Sequence, residues 1–170
     1  MIRHQEVVTA AVELGGVLSS QQEIVRAMRA LAQTQQQAIV MGDVQVLTAV
    51  VDEEHQLMEH LAALETERMT ALVAIAAATG LDADSATISA IAATLPMEHA
   101  TELTRIGQDL RAEAIALRQV QDVNNQLLET SKHLVDRWLN YLRSVLSGSL
   151  YTASGGTGGM PGARSLDRSA

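Results

Sequence analysis

The chain has 170 residues, a formal net charge of −8, no cysteine, and an aromatic content of 2% with no phenylalanine. The lack of cysteine excludes a disulfide scaffold, a thiolate metal site and cysteine catalysis, and the acidic balance argues against nucleic acid as a partner. A core without large rings packs aliphatic side chains along helices, so the composition indicates one helical domain, with or without a tail.

The first predicted helix covers residues 7 to 40. Its core stripe has alternating spacings of three and four residues, which only a helix places on one face. The predicted stripe is Leu14, Val17, Gln21, Ile24, Met28, Leu31, Gln35 and Ala38. Gly15 and Gly16 weaken this helix by about 1 kcal/mol each against Ala, so we expect fraying or a kink there. Gly42 and Asp43 suit a helix end and the next N-cap, and a join this short predicts antiparallel neighbours.

The second predicted helix covers residues 44 to 79 and ends at Gly80. Its stripe is Leu47, Val50, Glu54, Leu57, Leu61, Leu64, Arg68, Ala71 and Ile75. Seven acidic residues lie between positions 43 and 67, whereas Arg68 is the only cation of this segment. This helix therefore suits a neighbour that carries cations, and we expect the last helix to be that neighbour. Residues 81 to 96 form a connector, with a short helix over 86–94 that Asp84 or Ser85 caps and Pro96 stops.

The last predicted helix, residues 97 to 147, has the longest stripe. Its members are Leu103, Ile106, Leu110, Glu113, Leu117, Val120, Asn124, Leu127, Ser131, Leu134, Trp138, Tyr141 and Val145. This pattern is typical of a coiled coil or a long bundle helix. We therefore predict an all-α fold: an antiparallel helical bundle or coiled coil of three long helices plus one short connector helix, over residues 1–147. Residues 148–170, rich in Gly and Ser, are predicted to be a flexible C-terminal tail that contains Tyr151.

A comparison of helix lengths divides the long stripe. At 1.5 Å per residue the second helix is roughly 55 Å long and the last is roughly 75 Å. If the two start side by side, the last dozen or so residues of the long helix overhang, and these include Leu134, Trp138, Leu142 and Val145. Bare apolar surface of this kind usually marks a binding site. Cover by a displaced first helix is the alternative.

The sequence offers no candidate for catalysis. No Glu stands three residues before a His, as the carboxylate sites of helical bundles require, and His55–Glu59 and Glu129–His133 are better explained as surface pairs. No Gly-rich phosphate loop is present either. We therefore expect no enzyme, no metal and no cofactor. The polar N-terminus and the short apolar runs predict a cytoplasmic protein that does not insert into a membrane.

Asn124 in the middle of the long stripe has two interpretations. In the structural one, it sets the register of a packed helix pair at some cost in stability. In the functional one, Asn124 and Asn125 offer hydrogen bonds to a partner helix. Trp138 is likewise either a core residue or a binding hot spot near a helix end.

Three segments together resemble the FlgN-like flagellar export chaperones. The first consists of residues 39–43 (Ile-Val-Met-Gly-Asp), followed by Leu47, Glu53-Glu54 and residues 61–65 with Arg68. The second is residues 125–128 (Asn-Gln-Leu-Leu) in the long last helix. The third is residues 151–155 (Tyr-Thr-Ala-Ser-Gly), which come after that helix. Members often have a further Asn three residues earlier, where this chain has Asp122.

The resemblance implies a cytoplasmic chaperone of bacterial flagellar type III export. Its clients would be hook-associated (hook-filament junction) proteins, held by their C-terminal helical segments. By position, the implied client-binding residues are Asn124, Asn125, Leu127, Leu128, Leu134, Trp138 and Leu142. The implied docking residue for the membrane export-gate subunit is Tyr151. The alternative is a structural or adaptor bundle whose apolar stripe is closed by homodimerisation.

Overall fold

The computed structural model describes residues 2–82 and 86–154, and gives side-chain environments for 5–82 and 86–144. In this part of the chain every regular element is a helix: α1 (Ile2–Met41), α2 (Val44–Thr79), α3 (Ile88–Ala92) and α4 (Met97–Ser154). The all-α prediction of three long helices and one short one is confirmed. The chain forms two compact units, Met1–Leu128 and Glu129–Ala170.

The join between α1 and α2 has the predicted chemistry. Gly42 has a φ of 69°, a left-handed conformation that favours Gly. The Asp43 side chain accepts hydrogen bonds from the backbone N–H groups of Gln45 and Val46, both at 3.1 Å. At the other end of α2, Gly80 has a φ of 78° and donates its N–H to the Ala76 carbonyl at 2.8 Å. The predicted bounds of α2 are therefore confirmed at both ends.

Asp43→Ala should lower the free energy of unfolding by about 1 kcal/mol, because two N–H groups of the first turn of α2 lose their acceptor. Urea unfolding followed by circular dichroism measures this. Asp52→Ala is the matched control, since it removes the same charge from an exposed position within α2. Equal stability of the two variants would contradict the assignment of Asp43 as the cap.

The core of the first unit lies where α1, α2 and α4 pack together. One cluster joins Leu14 of α1 to Ile75 of α2 and Leu103 of α4, and α3 adds Ile91 to it. A second cluster contains Val25, Met28, Ala32 and Leu117, with Leu57 and Leu61 packed against it. From the first cluster to the second, residue numbers rise in α1 and α4 but fall in α2. Helix α2 is thus antiparallel to the other two, as predicted.

The buried face of α1 is wider than the predicted stripe. Leu14, Gln21, Met28 and Ala38 are buried as predicted, but Val17, Ile24 and Leu31 are only half-buried. Leu18, Val25 and Ala32, each one residue further along, are the buried ones. The reason is that α1 contacts both α2 and α4, so its buried face must be wider than one seam. Each member of the predicted stripe of α2 is also buried or half-buried, and among the buried residues of α2 only Leu72 lies off the stripe.

The two Gly residues of α1 do not break the helix, which runs continuously from Ile2 to Met41. Gly15 lies in the buried face, where an added Cβ would stand 3.6 Å from Ile106 Cδ1 in ordinary contact. The expected fraying or kink therefore has no counterpart in the assigned helix.

Helix α3 is shorter than predicted, and Thr87 caps it by accepting a hydrogen bond from Ala90 N–H at 3.1 Å. The two predicted caps, Asp84 and Ser85, lie outside the described residues. Ile88 packs directly over Gly107 of α4, where a Cβ would overlap the Ile88 side chain. This close approach explains the Gly in the middle of an otherwise regular helix.

Ion pairs join α1 to α4 rather than α2 to α4. Arg26 and Arg29 of α1 each place Nε 3.3 Å from a carboxylate oxygen of Glu113, whose side chain is mostly buried. In α2, Arg68 pairs within its own helix with Glu65, and this hydrogen bond lowers the pKa of the Glu65 carboxyl. The expected match of acidic α2 with the cations of α4 is therefore not the pairing observed in the described residues.

Candidate functional site

The long stripe of α4 changes its environment along the helix. Leu103, Ile106 and Leu117 are buried in the first unit, and Asn124 is 2% exposed. Every side chain from Glu129 to Ser144, in the second unit, is exposed. One sequence pattern thus gives a core surface in the first unit and an open surface in the second.

The open surface contains large apolar side chains on one side of the helix. Leu134 is 54% exposed, Trp138 59% and Leu142 49%. At about 100° per residue, the apolar positions of the second unit fall within an arc of roughly 160°. We call this the apolar face: Leu134, Val135, Trp138, Leu139, Tyr141 and Leu142. Since a contiguous apolar surface of this kind is costly in water, it is a strong candidate for a binding surface.

A shallow depression of about 460 Å³ lies on the apolar face, lined by Leu134, Arg137, Trp138 and Tyr141. The two aromatic rings meet edge to face, with centroids 6.1 Å apart and planes at 88°. Such contacts favour one mutual arrangement of the rings. The depression therefore has two aromatic walls, an aliphatic wall and one cation, a combination that suits an apolar side chain with a polar neighbour.

Asn124 is buried against α1 in the first unit. Its Nδ2 donates to the Ala32 carbonyl at 2.7 Å and to Gln35 Oε1 at 2.8 Å, while its Oδ1 is buried without a hydrogen-bond partner. These bonds are what the structural interpretation predicts, because both amide hydrogens are directed to the neighbouring helix. A contact between Asn124 and a client stays a prediction.

The other candidate residues of the first unit differ in exposure. Asn125 is exposed, Leu127 is half-buried and Leu128 is 44% exposed. Leu134 and Trp138 line the same depression, whereas Leu142 lies elsewhere on the apolar face.

The side chain of Tyr151, the predicted docking residue, lies outside the described residues, as does that of Val145. The backbone of α4 continues through Gly148 to Ser154, past the end predicted at Ser147, so a single Gly does not stop this helix.

Val135, Leu139 and Arg137 were not among the predicted site residues. Val135 and Leu139 each follow a stripe residue by one position, and a stripe with spacings of three and four omits them. The signal was available in the sequence, because on a helical wheel both lie within the same apolar arc. Arg137 lies outside the apolar arc, and its place beside Trp138 follows from the structure.

Among the described residues, no three His, Asp, Glu or Cys side chains come together to hold a metal ion. His55 and Glu59 form an exposed pair at 3.5 Å, as expected for a solvated helix surface. No helix in the described ranges combines the length and apolar character that crossing a bilayer requires.

Comparison with protein families identifies the family of this chain. The family model described as FlgN protein matches residues 10–159. The chain belongs to the FlgN family. Comparisons with curated proteins and with solved structures find no match. FlgN proteins are chaperones of flagellar export rather than enzymes, and they bind flagellar hook-associated proteins. The matched range includes the whole apolar face and position 151, so the candidate residues fall within the family domain.

Proposed function

We propose that this FlgN protein acts in the cytoplasm as an export chaperone that holds the C-terminal helical segments of hook-associated proteins and delivers them to the export gate. The observation that supports this most directly is the apolar face of the second unit. A helix that binds another helix offers apolar residues at spacings of three and four. Leu134, Trp138 and Tyr141 have this spacing, and Leu142 lies four residues after Trp138.

Trp138 and Tyr141 are the expected anchors of the complex. Aromatic side chains contribute large contact areas with few rotatable bonds, and they dominate binding energy in many interfaces. Trp138 is also the only Trp in the chain. Its indole fluorescence therefore reports directly on the proposed contact, because burial against a client helix moves the emission to shorter wavelength.

A chaperone that hands over its cargo needs moderate affinity. Dissociation constants between micromolar and nanomolar correspond to about 8–12 kcal/mol. Titrating the chaperone with a hook-associated protein, followed by Trp138 emission and isothermal calorimetry, tests the proposal. Saturable binding in this range with a blue shift supports it. Lack of binding would overturn it, and a concentration-dependent homodimer that buries Trp138 without a client would favour the adaptor bundle instead.

Tyr151 is proposed as the docking residue for the export gate. Tyr151→Ala should leave client affinity unchanged, because the residue stands outside the apolar face in sequence. The same change should reduce secretion of hook-associated proteins about tenfold or more, as loss of an aromatic anchor usually does. Secretion and swimming assays measure this, with Thr152→Ala as the neighbouring control. Normal secretion in the Tyr151→Ala strain would remove Tyr151 from the site.

A further inference from the structure

Charged side chains border the apolar face in an ordered way. On a helical wheel with Trp138 at the centre, Lys132 and Arg143 lie just beyond one edge of the apolar arc and Arg137 lies beyond the other. Asp136 and Glu129 lie further round the helix, about 20° and 40° beyond Arg143. The apolar face is thus flanked by cations on both sides, and the carboxylates of this segment lie further from the face than these cations.

These three cations form no ion pair within the described residues, and all three are exposed. Among the described residues of the first unit, Arg26, Arg29, Arg68 and Arg105 each pair with a carboxylate of the chain itself, whereas the exposed Arg111 and Arg118 do not. The cations beside the apolar face are therefore available to a partner.

We propose that the client helix held by the apolar face has carboxylates on both sides of its own apolar stripe, which pair with Arg137 on one edge and with Lys132 and Arg143 on the other. This inference rests on the proposed chaperone function and specifies the partner that the function requires. Arg137 sits in the wall of the depression with Trp138, so an apolar client side chain entering there brings an acidic neighbour within reach of the guanidinium.

A protein helix fits these observations better than an anionic membrane surface does. The segment from Glu129 to Ser144 has three basic and two acidic residues, a net charge of only +1. Helices that lie on anionic membranes have a strongly basic polar face, and each cation adds only about 1 kcal/mol of attraction to the lipid surface. The spacing of three and four along the apolar face also favours pairing with a second helix.

Cations at the rim of an interface act mainly on the association rate and on partner choice, and salt screens their effect. Arg137→Glu combined with Arg143→Glu should therefore weaken binding of a hook-associated protein about tenfold to thirtyfold at low ionic strength, mostly through slower association. The difference from the unmodified protein should shrink to about threefold or less in 0.5 M salt, where the screening length falls below about 5 Å. Arg137→Gln with Arg143→Gln should give an intermediate loss.

The matched control is Arg111→Glu with Arg118→Glu, which reverses two exposed cations of α4 in the first unit and should leave affinity within about twofold. Surface plasmon resonance with an immobilised full-length hook-associated protein gives both rates, and circular dichroism verifies the fold of each variant. Client binding that is equal in all variants and insensitive to salt would overturn the inference and leave the chaperone function standing. Absence of client binding by the unmodified chain would overturn both the inference and the chaperone function.

Binding to anionic phosphatidylglycerol vesicles tests the membrane alternative. Vesicle binding that is lost in Arg137→Glu with Arg143→Glu, while client binding is unchanged, would assign the cations to lipid.

Discussion

Leu134→Asp combined with Trp138→Ala should weaken client binding by at least about a hundredfold, which removes it from most assays. Both side chains line the same depression, so one change places a charge in it and the other removes its largest wall. Because both residues are exposed in the free chain, stability should change by less than about 1 kcal/mol.

The measurement is affinity by calorimetry, with helicity and thermal unfolding followed by circular dichroism on the same samples. Ile115→Asp with Val123→Ala is the matched control. Both positions are exposed apolar residues of α4 in the first unit, so the chemical change is similar but the apolar face is intact. The proposed site fails if the first variant keeps its client, or if the control loses it to the same extent.

Asn124→Asp should lower the free energy of unfolding by about 3 kcal/mol. The buried Nδ2 donates to two oxygens, the Ala32 carbonyl and Gln35 Oε1, and a carboxylate there would confront both as an acceptor. An unpaired charge at a position that is 2% exposed is among the costliest substitutions known.

Asn125→Asp is an internal control, since it makes the same change one residue away at an exposed position and should shift stability by less than about 0.5 kcal/mol. Chemical unfolding of the two variants gives the comparison. Asn124→Leu tests the structural interpretation, in which Asn124 sets the register of a packed helix pair. The free energy of unfolding should be unchanged or raised, because the substitution also removes the unpartnered Oδ1, but the register of the helix pair should loosen. Equal stability of Asn124→Asp and Asn125→Asp would show that Asn124 does not lie buried against α1 in solution.

The helices were largely predictable because their ends are encoded locally. Gly42, Asp43 and Gly80 specify turns and caps by their own backbone and side-chain chemistry, so no knowledge of the remaining fold was needed. The stripe of α2 was also predictable, because its periodic apolar pattern corresponds to positions that are all buried or half-buried. Helix lengths predicted a change in exposure along α4 but left cover by the first helix as an alternative.

Features that depend on the packing of three helices were not predictable from the spacing of apolar residues. The buried face of α1 includes Leu18, Val25 and Ala32 because two helices share it. Likewise, the partner of Glu113 is α1, which no pattern within α4 reveals. The cap of α3 depended on a choice among several neighbouring polar residues. The docking role proposed for Tyr151 rests on resemblance alone, since no spacing or pattern in the sequence points to it.

The contact between Ile88 and Gly107 has a consequence for how much of α4 is available to a partner. A stripe with a seven-residue repeat permits one helix to slide along another by about 10 Å and still bury apolar residues. Gly107 leaves room for the Ile88 side chain at only one position along α4, and Asn124 reaches its two acceptors in only one register. Together these two contacts oppose slippage of α4 by one heptad, because a shifted helix would lose both of them.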